Sequence, residues 1–412
     1  MKAFFKVRDV AMVHALAQEL EPLPAEEVPL PQALGRSLAR PLAAPADLPG
    51  FTRATMDGYA VRARDTFGAG EISPGYLDIV GEVRMGQAPE FSLEPGQCAR
   101  IGTGGMLPPG SDAVVMVEHT RRLDDTSLEV ATSVAPGANT LGPTDDAARG
   151  QELLPRGQRL RPQDLGLLAA LGQEKVVVLR RPRVGIVSTG DEVVPVSAAT
   201  SPGQVRDVNT YTLAAQISQA GGEPLPLGLV PDQANAIREA ADRSLENCDL
   251  TLLSGGSSVG TRDFTSEVFL SFPGAELLVH GVAVSPGKPF LWVRAQAGHL
   301  IGLPGQVASC LVAFYLLVEP ILERLQGRPA LPFARFARLP AVLARNIPSA
   351  PGREEYLRVS LDQQNGRWLA QPLFGKSGLL TTLIQGQGLV RVPKDCEGLD
   401  AGEAVEVLLF PS

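Results

Sequence analysis

VVVLRRPRVGIVSTGDE (176–192) decides the fold of the larger part of this chain. Its apolar runs, Val176–Leu179 and Val184–Val187, are short, β-branched and uninterrupted, and the second breaks on the hydroxyl- and glycine-rich STGDE (188–192). Such a run is a strand buried on both faces. Downstream, Asn209–Ala220 and Ala234–Leu245 read as helices, the second with Ile237, Ala241 and Leu245 on one face. Leu250–Leu253 and HLIGL (299–303) read as strands, Thr265–Phe272 as a helix, and Val307–Leu325 as one long apolar helix. Strand alternating with helix predicts a doubly wound α/β domain, its parallel sheet covered on both faces. The proline-rich GRPALPFARF (327–336) ends it.

The flanks follow other periods. Residues 8–20 place Val10, Val13, Leu16 and Leu20 at helical spacing, and a proline-rich connection runs from Pro22 to Pro49. From Phe51 to Val134, runs such as LDIVGEV (77–83) and DAVVMVE (112–118) lie between Gly and Pro, an all-β pattern. A brief helix is expected at Asp164–Leu171. The tail, with ARLPAVLA (337–344), EYLRVSL (355–361) and AVEVLLF (404–410), predicts a small β-barrel.

With 412 residues, 44% hydrophobic and 20% charged, the chain is a multidomain globular protein. A net charge of −8 gives no support to nucleic-acid or anionic-membrane binding. An anionic ligand therefore needs a local site. Cys98, Cys248, Cys310 and Cys396 are scattered without CxxC spacing, which argues against a zinc site or disulfide framework and fits a reducing compartment. The start, MKAFFKVRDVAM, lacks an apolar signal core, and the longest apolar stretch, Cys310–Val318, is far short of a membrane span, so a cytoplasmic location is expected.

Chemistry is expected where the sheet's strands end. STGDE (188–192), SGGSSVG (254–260), SPGKP (285–289) and PGQ (304–306) are strand-to-loop junctions that let backbone N–H groups approach phosphate oxygens. None is a Walker loop, because Pro289 follows Lys288, and no G-x-G-x-x-G opens a helix. Asp191, Glu192, Asp232 and Asp263 add hard oxygen ligands of the kind Mg²⁺ uses beside phosphates. Asp232 and Asp263 also read as plain helix N-caps, and Lys288 as a solvated surface cation. In MDGYA (56–60), Asp57-Gly58 reads as a hairpin turn, and GTGGMLPPG (102–110) as a Gly/Pro loop before a buried strand.

Together these segments resemble the molybdopterin molybdenumtransferases, the family of bacterial MoeA and the gephyrin E domain. The marks occur in order: MDGYA (56–60), GTG (102–104), PPGSDAVV (108–115), STGDE (188–192), GQVRDVN (203–209), SGGSSVG (254–260), PGKP (286–289), GLPG (302–305) and REEYLRV (353–359). The resemblance covers nearly the whole chain. It implies an elongated four-domain subunit in a homodimer: 1–46 with 138–175, a β-rich insertion at 47–137, the α/β molybdopterin-binding domain at 176–328 and a C-terminal barrel at 329–412. It implies insertion of molybdate into adenylylated molybdopterin with Mg²⁺, releasing molybdenum cofactor and AMP, with transient contact to other molybdenum-cofactor enzymes. The implied catalytic positions are Asp57, Thr103, Glu192, Asp232, Asp263, Lys288 and Arg353, with Glu192 and Asp263 as metal ligands. Substrate binding would fall to Asp146, Ser188, Thr189, Gly190, Asp191, Ser254, Gly255, Gly256, Ser258, Gly260, Pro286, Gly287, Pro304 and Gly305. Asp57 and Thr103 would approach the α/β edge of the partner subunit.

Three positions depart from the family pattern. Ser285 stands where a lysine is usual, Gln306-Val307 where Asn-Pro is usual, and Ala54 where serine is frequent. Two other readings stand beside the first. One is an adenylyltransferase that shares the α/β module. The other is a diverged, non-catalytic paralogue that binds the pterin or partner proteins.

Overall fold

The computed structural model describes residues 7–256 and 264–411. The chain folds into two compact units: Met1–Ala39 with Gly157–Gly166 and Glu174–Ser412, and Arg40–Arg156 with Leu167–Gln173.

The α/β domain holds a six-stranded sheet. Its elements are β1 (Arg183–Thr189), α1 (Asn209–Gln219), β2 (Glu223–Val230), α2 (Ala234–Leu245), β3 (Leu250–Ser254), α3 (Phe264–Leu270), β4 (Glu276–His280), β5 (Leu291–Ala295), β6 (Gly298–Leu303) and α4 (Val307–Ala313). The order is β2-β1-β3-β6-β5-β4. Side-chain alternation feeds two cores. Ile186, Leu252 and Ile301 pack with Leu213 and Ile217 of α1, whereas Val187, Leu253 and Leu300 pack with Ile237 of α2 and Phe269 of α3. Each neighbouring pair of strand residues thus buries one side chain on either face, as a doubly wound sheet requires.

One expectation is corrected. The sheet is not wholly parallel: β5 runs antiparallel to both β4 and β6, while the other strands share one sense. The loop from Ala295 to Gly298 is too short for a crossover and can only make a hairpin. The reversal has a use, because it puts the beginning of β5 beside the end of β6, with Leu291 opposite Gly302. The long helix is also not uniform. After α4 it widens into a π turn at Phe314–Val318 before resuming at Glu319–Leu325.

The expected barrel is present. It comprises β7 (Ala337–Leu343), β8 (Glu354–Gln364), β9 (Arg367–Pro372), β10 (Gly388–Val392) and β11 (Ala404–Leu409). The ladder β8-β9-β7-β11-β10 closes where β10 pairs with β8. The two-residue strand Val284–Ser285 joins β8 in parallel, so the α/β domain and barrel share a backbone ladder.

The helix expected at 8–20 is Val10–Gln18; Val10, Val13 and Ala17 lie in the α/β core. Strand Ala25–Pro29 pairs with Lys175–Leu179, which the sequence separates by more than a hundred residues. Between them, Gly157 N–H donates to Leu38 O at 2.9 Å and Leu38 N–H to Gln158 O at 3.0 Å. The chain therefore leaves for the second unit and returns at neighbouring points. That unit carries a six-stranded sheet in which Gly58–Val61 lies between Ala113–Met116 and Gln97–Ile101. Among the described residues, no helix is long and apolar enough to cross a membrane.

Candidate functional site

In the second unit, Asp57-Gly58 is not a hairpin turn. Gly58 opens a strand and packs so closely on its neighbour that a Cβ would lie 1.9 Å from Val115 O. Because Gly58–Val61 and Gln97–Ile101 are antiparallel, the start of one meets the end of the other and Asp57 faces the GTG loop. Asp57 Oδ1 accepts from Thr103 N–H at 2.7 Å and Thr103 Oγ1 at 2.8 Å. Those bonds hold its carboxyl below the usual aspartate range despite full exposure. Ionised Asp57 therefore persists into acid, and its grip on Thr103 is lost only as pH falls below the ordinary value. Asp57→Ala is expected to speed amide exchange at Thr103 and Gly104 while leaving the global melting temperature nearly unchanged, which exchange and thermal melts together would check. Asp146 is exposed in the same unit, its N–H on Leu48 O at 3.2 Å.

At the α/β edge, β1, β3 and β6 end in register, with Ser188 opposite Ser254 and Ser254 opposite Leu303. Three glycine loops therefore converge. Gly255 has φ +99° and lies so close to β1 that a Cβ would sit 2.1 Å from Thr189 O. Gly305 lies against it, a Cβ there reaching Gly255 Cα at 3.4 Å. Pro304 is buried, and Gly190 opens the STGDE turn, which Val193 N–H closes on Gly190 O at 3.0 Å.

The serines expected to bind phosphate have another job. Buried Ser188 Oγ donates to Asp207 Oδ1 at 3.3 Å and lies 2.9 Å from Thr210 Oγ1 and 3.1 Å from Ser254 Oγ. Their hydroxyls join the strand ends to α1. Asp207, Asn209 and Thr210 were given no site role, although Asp207 and Asn209 lie in GQVRDVN (203–209) and Asn209 opens the expected helix.

Three carboxylates gather beside these loops. Asp232 N–H donates to Asp191 Oδ1 at 3.4 Å, and a Cβ on Gly256 would lie 3.4 Å from Asp232 Oδ1. Asp232 is not the N-cap of α2. That position is Gln233, and no side chain caps the helix. Burial, then Asp191, then Glu192 raise the Asp232 carboxyl above its usual range. Among the described residues no group of three is drawn tightly enough to hold a metal unaided. Asp263, Ser258 and Gly260 lie outside the described residues.

A second group forms where the α/β domain meets the barrel. Lys288 is exposed, its carbonyl accepting from Val282 and Phe290 N–H, and a Cβ on Gly287 would lie 3.4 Å from Ala313 Cβ in α4. Pro286 follows Ser285 on the strand that pairs with β8. Across that ladder, Glu355 accepts from Ser349 at 2.8 Å and Ser285 at 3.4 Å, and lies 3.9 Å from Arg353. Glu355 was not predicted, and only the register of two distant segments reveals it.

Residues 9–172 match the MoeA N-terminal region (domain I and II), 185–324 a probable molybdopterin binding domain and 340–410 the MoeA C-terminal region (domain IV). The molybdopterin molybdenumtransferase of Nostoc sp. is 35% identical over 98% of this chain and 94% of its own. That of Bacillus subtilis is 33% identical over 93% and 90%. The chain belongs to the molybdopterin molybdenumtransferase (MoeA) family. A crystal structure of the molybdopterin biosynthesis MoeA protein from Pyrococcus horikoshii has a TM-score of 0.82 at 36% identity, covering 99% of this chain and all of that one.

Against a MoeA background, the three departures take definite places. Ser285 hydrogen-bonds Glu355. Gln306, the N-cap of α4, accepts through its side chain from Ser377 Oγ, while Ala308 N–H donates to Ser377 O at 3.0 Å. Gln306 thereby ties the barrel's 374–380 loop to the edge, and α4 starts at Val307 without a proline. Ala54 is buried and exchanges backbone bonds with Gly104 and Gly105 at 2.8 and 2.9 Å.

Proposed function

We propose that this chain inserts molybdenum from molybdate into adenylylated molybdopterin, yielding molybdenum cofactor and AMP. The observation that carries the reading is the convergence of three glycine loops and the Asp191–Glu192–Asp232 carboxylates on one strand edge. The glycine backbones would take the phosphates, and the carboxylates are suited to a divalent cation rather than to the anion itself. The raised Asp232 carboxyl fits Mg²⁺, because burial and then the like charges of Asp191 and Glu192 disfavour its ionised form until a cation offsets them. Glu192, Asp191 and Asp232 would share the ion with substrate oxygens, together with Asp263. When bound, Mg²⁺ would neutralise phosphate charge and favour release of AMP. Lys288 and Arg353 would draw molybdate to the neighbouring barrel junction. The protein's part is positioning and charge neutralisation, without a covalent nucleophile.

The proposed setting is a cytoplasmic homodimer in which Asp57, Thr103 and Asp146 also serve the reaction, with transient contact to other molybdenum-cofactor enzymes. Family coverage beyond the α/β domain favours insertion over adenylylation, because an adenylyltransferase would need only that module. The deciding experiment measures AMP release from adenylylated molybdopterin with and without molybdate and Mg²⁺. Release that requires both supports the proposal. Tight binding without release would make the chain a diverged binder.

Ser285 makes a separate prediction. Lysine there would take Glu355, leaving Arg353 less neutralised and adding a positive charge. Ser285→Lys is expected to lower the molybdate concentration for half-maximal release about two- to fivefold at low salt, an advantage that fades at high salt. A molybdate titration at two ionic strengths checks it.

A further inference from the structure

Asn209, the first residue of α1, is more than nine-tenths buried, and its Nδ2 donates to Gly305 O at 2.9 Å. Its Oδ1 is buried without a partner. The amide cannot simply be turned over, since that would aim Oδ1 at the Gly305 carbonyl oxygen. Leaving a buried acceptor unsatisfied costs about 1–3 kcal/mol, which a residue serving only to begin a helix has no reason to bear.

The geometry of the peptide bond supplies a reason. In a trans peptide the carbonyl and the following N–H point in opposite directions. With Gly305 O drawn inward to Asn209, the Gln306 N–H points away from the buried side. Gly305 and Gln306 are both exposed, and that N–H has no acceptor among the described residues. The Gln306 side-chain oxygen accepts from Ser377 Oγ instead. Resting on the function proposed above, we infer that Asn209 is a positioning residue: it fixes the Gly305–Gln306 peptide so that the Gln306 N–H meets a phosphate oxygen of the bound nucleotide. Glycine at 305 makes this orientation one that must be enforced, because its peptide planes rotate at little steric cost.

Asn209→Asp separates this role from a purely structural one. Aspartate in the first turn of a helix is favourable, so the fold is preserved. Its carboxylate cannot donate to Gly305 O, and it would instead accept the Gln306 N–H, withdrawing that donor from the ligand. Protonated, it donates an O–H to Gly305 O as the amide does. The test is AMP binding by titration calorimetry, each variant compared with wild type at the same pH so that titration of the nucleotide cancels. Burial at this position and the nearby Asp207 would raise the introduced carboxyl above the ordinary aspartate range, so Asn209→Asp is expected to bind AMP about tenfold more weakly near pH ~8 and to come within about threefold of wild type near pH ~5. Asn209→Ala should be weakened at both pH values with no recovery and an unchanged melting temperature.

Equal affinity of wild type and both variants would overturn the positioning role while leaving the phosphate edge standing. A loss in Asn209→Asp that does not recover in acid would do the same, reducing Asn209 to a packing residue. Should the aspartate variant fail to fold, undiminished AMP binding by Asn209→Ala would overturn the inference. Wild type that binds no AMP at all would overturn the proposed function, and this inference with it.

Discussion

Replacing Gly255 with alanine is expected to cost about 2–4 kcal/mol of stability and to abolish nucleotide binding at the α/β edge. Two independent penalties combine. At φ +99° the residue occupies backbone space that L side chains rarely adopt, and its Cβ would stand 2.1 Å from Thr189 O. That oxygen cannot yield easily, because Thr189 ends a strand laddered to β2 on one side and β3 on the other. Relief must come from the loop, which would pull Gly255 N–H off Leu303 O and carry Gly256 away from Asp232. Thermal melts should show a fall of about 5–10 °C, together with loss of AMP binding. Gly166→Ala is the control: nothing lies within 4 Å of its Cβ, so stability should hold or rise slightly. If Gly255→Ala melts like wild type, the close approach of the SGG loop to β1 is wrong.

Glu192→Ala is expected to reduce molybdate-dependent AMP release roughly a hundredfold, and Asp232→Asn to weaken the response to Mg²⁺ about tenfold, yet both should leave the protein no less stable. The sign follows from Asp232. A carboxyl raised by burial and by neighbouring Asp191 and Glu192 holds its proton more tightly folded than unfolded. Its contribution is fully present below the unfolded value and is lost as pH rises through the folded one. At neutral pH the ionised group therefore opposes folding, and Asn at 232 should raise the melting temperature in chelator. The ranking should narrow or invert when Mg²⁺ is added, because wild type gains more from the ion. A melt series with Mg²⁺ and with chelator reads this directly. If Asp232→Asn melts lower in chelator, the three carboxylates are not crowded as described.

Much of this was legible in the sequence, for identifiable reasons. The short, largely apolar runs at 184–187 and 250–253, each ending on a glycine-rich loop, read as strands buried on both faces, and glycine at 190, 255 and 305 marks where backbones must approach closely. The reversal of β5 was not legible, because LWVRA reads alike in either direction and only the short loop to Gly298 fixes its sense. Asp57 was misread locally: Asp-Gly favours a turn, but the pressure of Val115 O on Gly58 calls for glycine inside a sheet. That Ser188 and Ser254 face each other across a ladder was not legible either, since that pairing depends on register. Glu355 and Ser377 became visible only through contacts spanning 70 residues and more.

The crossing at Leu38 and Gly157 bears on how such a chain could have been assembled. A segment of more than a hundred residues departs and returns at points one hydrogen bond apart. A linker of about two residues joining Leu38 to Gly157 would span the gap. Such a deletion would still leave behind Leu167–Gln173, which belongs with the second unit.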